Sequence, residues 1–321
     1  MKAAVYYKTG KPDVFKYEDR DDPQLSATSV LIKVEAISIE GGDVLNRAGG
    51  DMPSSPHIVG YQCAGAIQAV GDAVTDRKPG DRVVASMPFG SHAELVAVSS
   101  MQTWPVPGGM DIRQAACIPI AFGTAHDCLF EFGRLQKGES VLIQAGAGGV
   151  GLAAIQLAKR AGATVLATAS SDEKIERLKE YGLDHGVNYR EGDWVAKAKS
   201  LAGGGVNLVV DSVGTTLAGS VQVTGYKGRI VVVGNAGRAE TRGVDPGDLS
   251  QMNRSLTGVF FGGSLMIERA RAYPMVQSLI EDVARGGLKV VTDREFALSD
   301  AAGAHAYIES RQAFGRVLLI P

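Results

Sequence analysis

The chain has 321 residues, of which 45% are hydrophobic and 21% charged, and its 33 basic and 35 acidic residues give a net charge of −2. This balance excludes a strongly basic nucleic-acid-binding surface and gives no general attraction to anionic membranes. The sequence has no run of about 18 uncharged apolar residues, and no N-terminal segment typical of a signal peptide. We therefore expect a cytoplasmic protein of about two domains.

Residues 1–120 carry short runs of β-branched or alternating apolar residues, separated by turn-forming segments rich in glycine and proline. Five of these runs are predicted strands: KAAVYY, SVLIKVEAISI, AGAIQAVG, DRVVAS and AELVAV. Apolar residues three and four positions apart then predict helical structure over 109–135. The first part of the chain is therefore predicted to be a β-rich domain.

From Ser140 onward, predicted strands and helices alternate. Six strands are predicted, at 140–145, 164–169, 186–189, 206–214, 229–235 and 255–261. Alternation of this kind is typical of an α/β fold with a doubly wound parallel sheet.

The tail of the chain adds two predicted helices, over 273–287 and 300–310, and a closing strand over 315–321. We expect the tail to complete the β-rich domain, with the parallel sheet inserted between its two parts. The predicted domains are residues 1–122 with 263–321, and residues 123–262.

The segment GAGGVG, residues 146–151, lies between an apolar strand and a helix. In that context the G-x-G-x-x-G pattern is the dinucleotide-binding fingerprint. Glycine permits a tight turn and lets backbone N–H groups at a helix N-terminus approach a pyrophosphate. The expected phosphate-binding residues are Gly148, Gly149, Val150 and Gly151. The alternative is a glycine-rich turn that binds nothing.

The residues after the second strand of this sheet indicate which dinucleotide binds. An NAD site usually has Asp or Glu there, about 20 residues beyond the glycines, to bind the ribose 2′-hydroxyl. Here Ser170 and Ser171 occupy those places and Lys174 follows, a set that suits a 2′-phosphate. Asp172 argues against this, unless it caps the next helix. The sequence favours NADP, with Lys174 on a solvated helix face as the alternative for that residue.

Metal-binding patterns are absent from the sequence. The three cysteines (63, 117 and 128) form no C-x-x-C pair, and the five histidines form no H-E-x-x-H motif. We expect buried, reduced thiols and no bound metal.

Several segments together resemble the medium-chain dehydrogenase/reductase superfamily, and most closely its zinc-free, zeta-crystallin-like quinone oxidoreductase branch. They are QAGAGGVGLAAIQLAKRAGATVLATASSDEK, KPGDRV, GSHAELVAV, FGTAHDCLF, DSVG and GRVLLIP. The resemblance covers almost the whole chain. It implies a GroES-like catalytic domain beside a six-stranded Rossmann domain, with NADPH as the cofactor.

The resemblance also implies cofactor contacts at matching positions. Ser170, Lys174 and Tyr189 would surround the 2′-phosphate, and Thr124 would lie near the nicotinamide or its ribose. Further contacts would come from the ends of the fourth and fifth strands, at Ser212, Val213, Gly234 and Asn235. Phe260 and Phe261 would end the sixth strand and line the nicotinamide pocket, or else pack in the core or at a dimer interface.

Two departures from the family pattern concern the catalytic domain. Zinc alcohol dehydrogenases carry G-H-E where this chain has Tyr61 and Gln62, which are poor zinc ligands. In SIEGGD, Glu40 replaces the Asn usual in the quinone oxidoreductases, whereas Asp43 matches. Glu40 would either face the cofactor pocket, point to solvent, or pair with Arg47.

Without a metal, hydride from NADPH requires an acceptor that is already electrophilic, such as a quinone. The alternatives are reduction of an α,β-unsaturated aldehyde or ketone, and a cofactor-binding redox sensor or structural protein with little turnover. Tyr61 is the nearest candidate for a hydrogen-bond donor, and it would lie near the nicotinamide unless it only packs against the wall. A homodimer is expected, since the sixth strand would otherwise leave an apolar sheet edge exposed.

Overall fold

The computed structural model describes residues 1–239 and 243–321. These residues divide into two compact units, which we call the terminal unit (Met1–Ala121 with Arg269–Pro321) and the central unit (Phe122–Glu268). The two dividing points lie one residue and six residues from the domain boundaries expected from the sequence.

The N-terminal part of the terminal unit contains seven strands and two helices. They are β1 (Lys2–Val5), β2 (Lys16–Asp19), β3 (Ser29–Ser38), α1 (Gly41–Gly49), β4 (Gln62–Val70), β5 (Arg82–Ser86), β6 (Leu95–Ser99), β7 (Thr103–Pro105) and α2 (Ile112–Ala115). The next helix, α3 (Pro119–His126), contains the boundary between the two units.

The central unit alternates strands and helices. They are β8 (Ser140–Ile143), α4 (Gly149–Arg160), β9 (Thr164–Ala169), α5 (Asp172–Lys179), β10 (His185–Asn188), α6 (Trp194–Leu201), β11 (Val206–Asp211), α7 (Leu217–Val223), β12 (Thr224–Val232), α8 (Pro246–Ser250), β13 (Ser255–Gly258) and α9 (Phe261–Ile267). The chain then returns to the terminal unit with α10 (Arg269–Ala284), β14 (Thr292–Ala297), α11 (Ala301–Glu309) and β15 (Arg316–Ile320).

In the terminal unit, a mixed sheet runs in the order β14-β15-β3-β4-β5-β7, and β6 also pairs with β3. Strand β3 shows why this part of the chain forms a half-buried sheet. Ile32, Val34 and Ala36 are buried in the core, whereas Lys33 and Glu35 between them are exposed. This period of two is the pattern of a strand with one face in the core.

The central unit contains the predicted parallel sheet, in the order β10-β9-β8-β11-β12-β13. Counted within the sheet this is the order 3-2-1-4-5-6 of a doubly wound dinucleotide-binding fold. The five residues from Val165 to Ala169 in β9 are all buried, as expected for a strand covered by helices on both faces. The fold class expected from the sequence is therefore confirmed.

Several predicted elements have different bounds in the structure. The predicted sixth strand, 255–261, ends at Gly258, and Phe261 begins helix α9 instead of ending a strand. The predicted fourth strand ends at Asp211 because the carboxylate of that residue folds the next five residues into a loop. The predicted helical stretch 109–135 divides into α2, α3 and a π-helical turn over Asp127–Glu131.

Among the helices in the described part of the chain, none combines the length and apolar character needed to cross a bilayer.

Candidate active site

In the central unit, the glycine loop joins β8 to α4 and is shaped for close backbone approach. Ala145 has a positive φ of 54°, and a Cβ on Gly151 would lie 2.4 Å from the carbonyl oxygen of Ala145. Gly148 is exposed at the tip and forms the N-cap of α4 without any side-chain cap. The first amides of α4, including those of Gly149 and Val150, are therefore available to an anion at the positive end of the helix dipole.

A series of buried side-chain hydrogen bonds holds the start of this loop in place, and the sequence analysis did not predict it. The Thr168 hydroxyl donates to the Gln144 side-chain oxygen at 2.7 Å, and the Gln144 amide donates to Ser220 Oγ at 3.3 Å. Ser220 in turn donates to Asp211 at 2.7 Å. Since Thr168 Oγ1 also accepts the Ala145 N–H at 3.1 Å, these hydrogen bonds fix the start of the glycine loop. The sequence signal for these hydrogen bonds is a polar residue within one position of the end of each of the apolar strands β8, β9 and β11.

Asp211 organises the loop after β11. Its carboxylate accepts the N–H groups of Val213 and Gly214, both at 3.0 Å, and the Thr216 hydroxyl at 2.9 Å. The Ser212 hydroxyl donates to the carbonyl oxygen of Gln144 at 3.3 Å, so the ends of β8 and β11 are joined. The predicted cofactor residues Ser212 and Val213 are thus held at the carboxyl edge of the sheet, where ligands bind in such folds.

The residues proposed to bind the ribose 2′-phosphate lie at the ends of β9 and β10. Ser171 caps α5, since its hydroxyl accepts the Lys174 N–H at 3.3 Å, which leaves Ser170 as the serine that ends the strand. The Tyr189 N–H donates to the carbonyl oxygen of Ala169 at 3.1 Å, so Tyr189 stands directly beside that strand end.

Asp172, the residue that argued against NADP, lies in the first turn of α5. Its carboxylate accepts the Asn188 side-chain amide at 3.3 Å. An acidic residue there interacts favourably with the helix dipole. Asp172 therefore has a structural role in the central unit that does not require a ribose.

Three further predicted cofactor residues of the central unit lie after β12 and in α3. Gly234 (φ 72°) and Asn235 follow β12, and the Asn235 amide donates to the carbonyl oxygen of Ala239 at 3.0 Å. Thr124 is buried in α3.

The sequence analysis expected Phe260 and Phe261 to end the sixth strand. They lie instead at the start of α9. Phe261 is buried against Gly123, where a Cβ would lie 2.3 Å from its ring, so only glycine fits at that contact. Phe260, the N-cap, is 72% exposed. The reason for the error is that Gly258 ends the strand and the Gly262–Gly263 pair permits the sharp change into a helix.

In the terminal unit, Glu40 lies in a buried polar cluster with Arg316 and Gln62. Its carboxylate forms an ion pair with Arg316 and accepts the Gln62 amide at 2.5 Å. Arg316 also donates to Ser38 Oγ at 2.6 Å, and Gln62 Oε1 accepts the Ile120 N–H at 3.1 Å. Burial raises the pKa of Glu40, and the guanidinium of Arg316 offsets part of the rise.

This arrangement corrects two of the alternatives for Glu40. The side chain is 5% exposed, so it does not point to solvent. Its partner is Arg316 rather than Arg47, and Arg47 pairs with Glu309 instead. The cluster instead joins the ends of β3, β4 and β15 to the start of α3.

Asp43 is fully buried on the first turn of α1. One carboxylate oxygen, Oδ2, accepts the Glu40 N–H at 2.8 Å. The other oxygen, Oδ1, has no hydrogen-bond partner among the described residues. Burial raises the pKa of Asp43 well above its usual value.

Tyr61 lies against the same turn of α1. The Asn46 amide donates to the Tyr61 hydroxyl oxygen at 2.8 Å, and the ring packs on Gly42. Burial raises the pKa of Tyr61 to about 12. The sequence analysis named Tyr61 and Asp43 but missed Asn46 and Gly42, which only the helical spacing of α1 brings to the same face.

The side chains at the positions of the zinc motif are engaged elsewhere. The Tyr61 hydroxyl accepts from Asn46, and the Gln62 amide is fixed at both ends by Glu40 and Ile120. Within residues 1–239 and 243–321, no group of three or more His, Cys, Asp or Glu side chains has the arrangement of a metal site. This donor set does not fit a catalytic zinc of the alcohol dehydrogenase type.

A doubly wound sheet with a glycine loop, inserted in a β-rich unit with a buried polar cluster, defines a two-domain nucleotide-dependent dehydrogenase or reductase. Two family profiles agree with this class. The profile described as "Alcohol dehydrogenase GroES-like domain" matches residues 26–108, and the one described as "Zinc-binding dehydrogenase" matches residues 149–280.

Similarity to individual proteins narrows the class. The chain is 33% identical over 327 residues to the quinone oxidoreductase of Rattus norvegicus, covering 100% of this chain and 98% of the relative. It is 34% identical over 346 residues to the human synaptic vesicle membrane protein VAT-1 homolog, covering 100% of this chain and 86% of the relative. The crystal structure of Escherichia coli quinone oxidoreductase complexed with NADPH matches with a TM-score of 0.95 at 30% identity and covers 100% of both chains. The chain belongs to the quinone oxidoreductase family of the medium-chain dehydrogenase/reductase superfamily.

Proposed function

We propose that this chain is an NADPH-dependent oxidoreductase that transfers a hydride to a quinone without a metal. The observation that carries the proposal is the strand end at Ser170, beside Tyr189 and Lys174, in a chain similar over its full length to quinone oxidoreductases. Hydroxyl groups and an ammonium suit a 2′-phosphate, and the Asp172 carboxylate, in the first turn of α5, is bound to the Asn188 amide.

NADPH, when bound, supplies the hydride. The amides from Gly148 to Gly151 bind the pyrophosphate, and Ser170, Lys174 and Tyr189 bind the 2′-phosphate. The loop fixed by Asp211 presents Ser212 and Val213 to the rest of the cofactor. Further contacts come from Thr124, Gly234, Asn235, Phe260 and Phe261.

The reaction needs no Lewis acid because the acceptor is electrophilic. A conjugated carbonyl group spreads the incoming negative charge onto its oxygen, and hydrogen-bond donors are enough to stabilise it. This is consistent with Tyr61 and Gln62, which are bound to other protein groups rather than directed at a cation.

An acceptor screen tests the proposed function. NADPH oxidation is measured with benzoquinones, naphthoquinones, conjugated enals and enoyl thioesters. We expect the quinones to give the highest kcat/KM. A higher kcat/KM for enals or enones would contradict the quinone as acceptor and support the alternative acceptor. NADPH binding without turnover of any acceptor would favour a sensor or structural role.

We also propose that two copies of the chain associate through the edge of the central sheet. Strand β13 is the last strand of that sheet, and four apolar side chains on β13, on α9 and at the N-cap of α9 are exposed. They are Leu256 (36%), Phe260 (72%), Met266 (68%) and Ile267 (85%). A second copy would cover this edge with the same residues, as two-fold symmetry requires.

A cytoplasmic location is part of the proposal. The three cysteines are free and buried, as in proteins of a reducing compartment.

A further inference from the structure

The hydrogen bond between Asn46 and Tyr61 has a direction. The Asn46 side-chain nitrogen lies 2.8 Å from the Tyr61 hydroxyl oxygen and can only donate. The phenol oxygen is therefore the acceptor, and its own O–H proton is not used in this bond. Among the described residues, no other side chain or backbone group accepts that proton. Tyr61 is partly exposed, so the proton can be donated to a ligand.

Gly42 makes this arrangement possible. A Cβ at residue 42 would lie 2.3 Å from Tyr61 Cε2 and 2.8 Å from the hydroxyl oxygen. Gly42 and Asn46 are four residues apart on α1 and so share one face of the helix. That face lets the ring lie on the backbone at Gly42 while the amide of Asn46 reaches its oxygen.

The surroundings keep Tyr61 protonated. Burial and the nearby carboxyl group of Asp43 raise the pKa of Tyr61, and the Asn46 hydrogen bond offsets only part of this rise. A phenol in this state donates hydrogen bonds at neutral pH but does not release its proton.

We propose that Tyr61 is the hydrogen-bond donor to the carbonyl oxygen of the acceptor, and that Asn46 and Gly42 are positioning residues that aim its proton at that oxygen. The inference rests on the proposed function and deepens it. The hydrogen bond strengthens as the oxygen gains negative charge during hydride transfer, and the proton that completes the product comes from water. The ligand class is an oxygen-bearing conjugated acceptor, which includes quinones and enones.

The variant Tyr61→Phe tests the donor. We expect kcat/KM for a naphthoquinone to fall about 10-fold to 100-fold, the usual effect of removing a hydrogen bond to a charged oxygen. The Kd for NADPH, measured by fluorescence titration, should stay unchanged. A kcat/KM within twofold of the parent protein would overturn the proposal.

The variant Asn46→Asp tests the direction of the bond. It keeps the shape of the side chain but puts an acceptor where the donor was, so the phenol would donate its proton to the introduced carboxylate. We expect a loss similar to that of Tyr61→Phe, and no further loss when both changes are combined. If Asn46 were merely structural, the two effects would add.

A matched control exists in the central unit, where the Asn253 amide donates to the Tyr226 hydroxyl at 3.0 Å on the surface. Asn253→Asp and Tyr226→Phe should leave kcat/KM unchanged. Thermal unfolding of all variants checks that they fold.

Equilibrium binding separates this inference from the proposed function. Calorimetric titration of the cofactor-free protein with the same naphthoquinone should show about 2-fold to 10-fold weaker binding in Tyr61→Phe. If the parent protein turns over no acceptor but shows this difference, only the proposed function fails. Unchanged binding in Tyr61→Phe, together with unchanged or absent turnover, would overturn the role of Tyr61.

Discussion

His92 and His305 face each other in the interior of the terminal unit, with their Nε2 atoms 3.1 Å apart. Both side chains are 0% exposed, and Phe15 packs against both rings. Burial lowers the pKa of His92 to about 3 and that of His305 well below its usual value, with Arg47 adding to the effect on His305. The two rings are therefore neutral, and one donates its proton to the other.

This histidine pair predicts how stability depends on pH. In the unfolded chain both side chains titrate near pH 6.5, so between about pH 3 and 6.5 the unfolded state binds more protons than the folded state. The contribution to stability is complete above pH 6.5 and is lost as the pH falls, by up to about 1.4 kcal/mol per pH unit for each histidine. Urea unfolding at several pH values between 7.5 and 5 measures this.

The slope of the parent protein alone does not isolate the histidines, because the raised pKa of Asp43 changes stability in the opposite direction as the pH falls. A comparison with a histidine variant removes this contribution, since Asp43 is present in both proteins. His305→Gln should make the loss of stability between pH 7.5 and 5 shallower. Equal slopes for the parent protein and His305→Gln would show that the pair is not neutral in the folded state.

Lys174 is the residue at which the choice of cofactor can be tested. In Lys174→Ala we expect NADPH to bind about tenfold more weakly, since a charge-assisted hydrogen bond to the 2′-phosphate is lost, and NADH binding to be unchanged. Fluorescence titration with both cofactors measures the two affinities. Lys179→Ala on the same helix, where the lysine pairs with Glu176, is the control. An equal loss for both cofactors would contradict the assignment of Lys174.

At the scale of elements, the strands of the central sheet could be predicted because their apolar runs alternate with helical segments and turn residues. Helix α1 could not, because its sequence GGDVLNRAGG has glycines at both ends and little intrinsic helix propensity. It is held by tertiary contacts, the ion pair of Arg47 and the buried Val44 and Asp43. The positioning role of Asn46 depends on this helix, so it could not be predicted either.

The edge strand β13 and helix α9 predict the state of association. We expect light scattering to give twice the chain mass for the parent protein. The double variant Met266→Asp/Ile267→Asp should be monomeric, because two carboxylates on each side would be buried against their copies. Met101→Asp, at an exposed position of the terminal unit, is the control and should stay dimeric. A monomeric parent protein, or a dimeric double variant, would contradict the proposed interface.

At the scale of the whole molecule, the sequence predicts the order of the two units and the dinucleotide fold, because both depend on local patterns along the chain. It does not predict the partners of the buried polar groups in the terminal unit. The partners in the Glu40–Arg316 ion pair and the His92–His305 contact are more than 200 residues apart, and only the folded sheet brings them together.

The central claim is a hydride transfer from NADPH to a quinone that requires no metal. It is tested most directly by the steady-state rate of naphthoquinone reduction before and after dialysis against a strong chelator, with NADPH and with NADH. We predict the same kcat/KM before and after chelation, and a value at least about tenfold higher with NADPH than with NADH. Loss of turnover on chelation that zinc restores, or equal values for the two cofactors, would contradict the account.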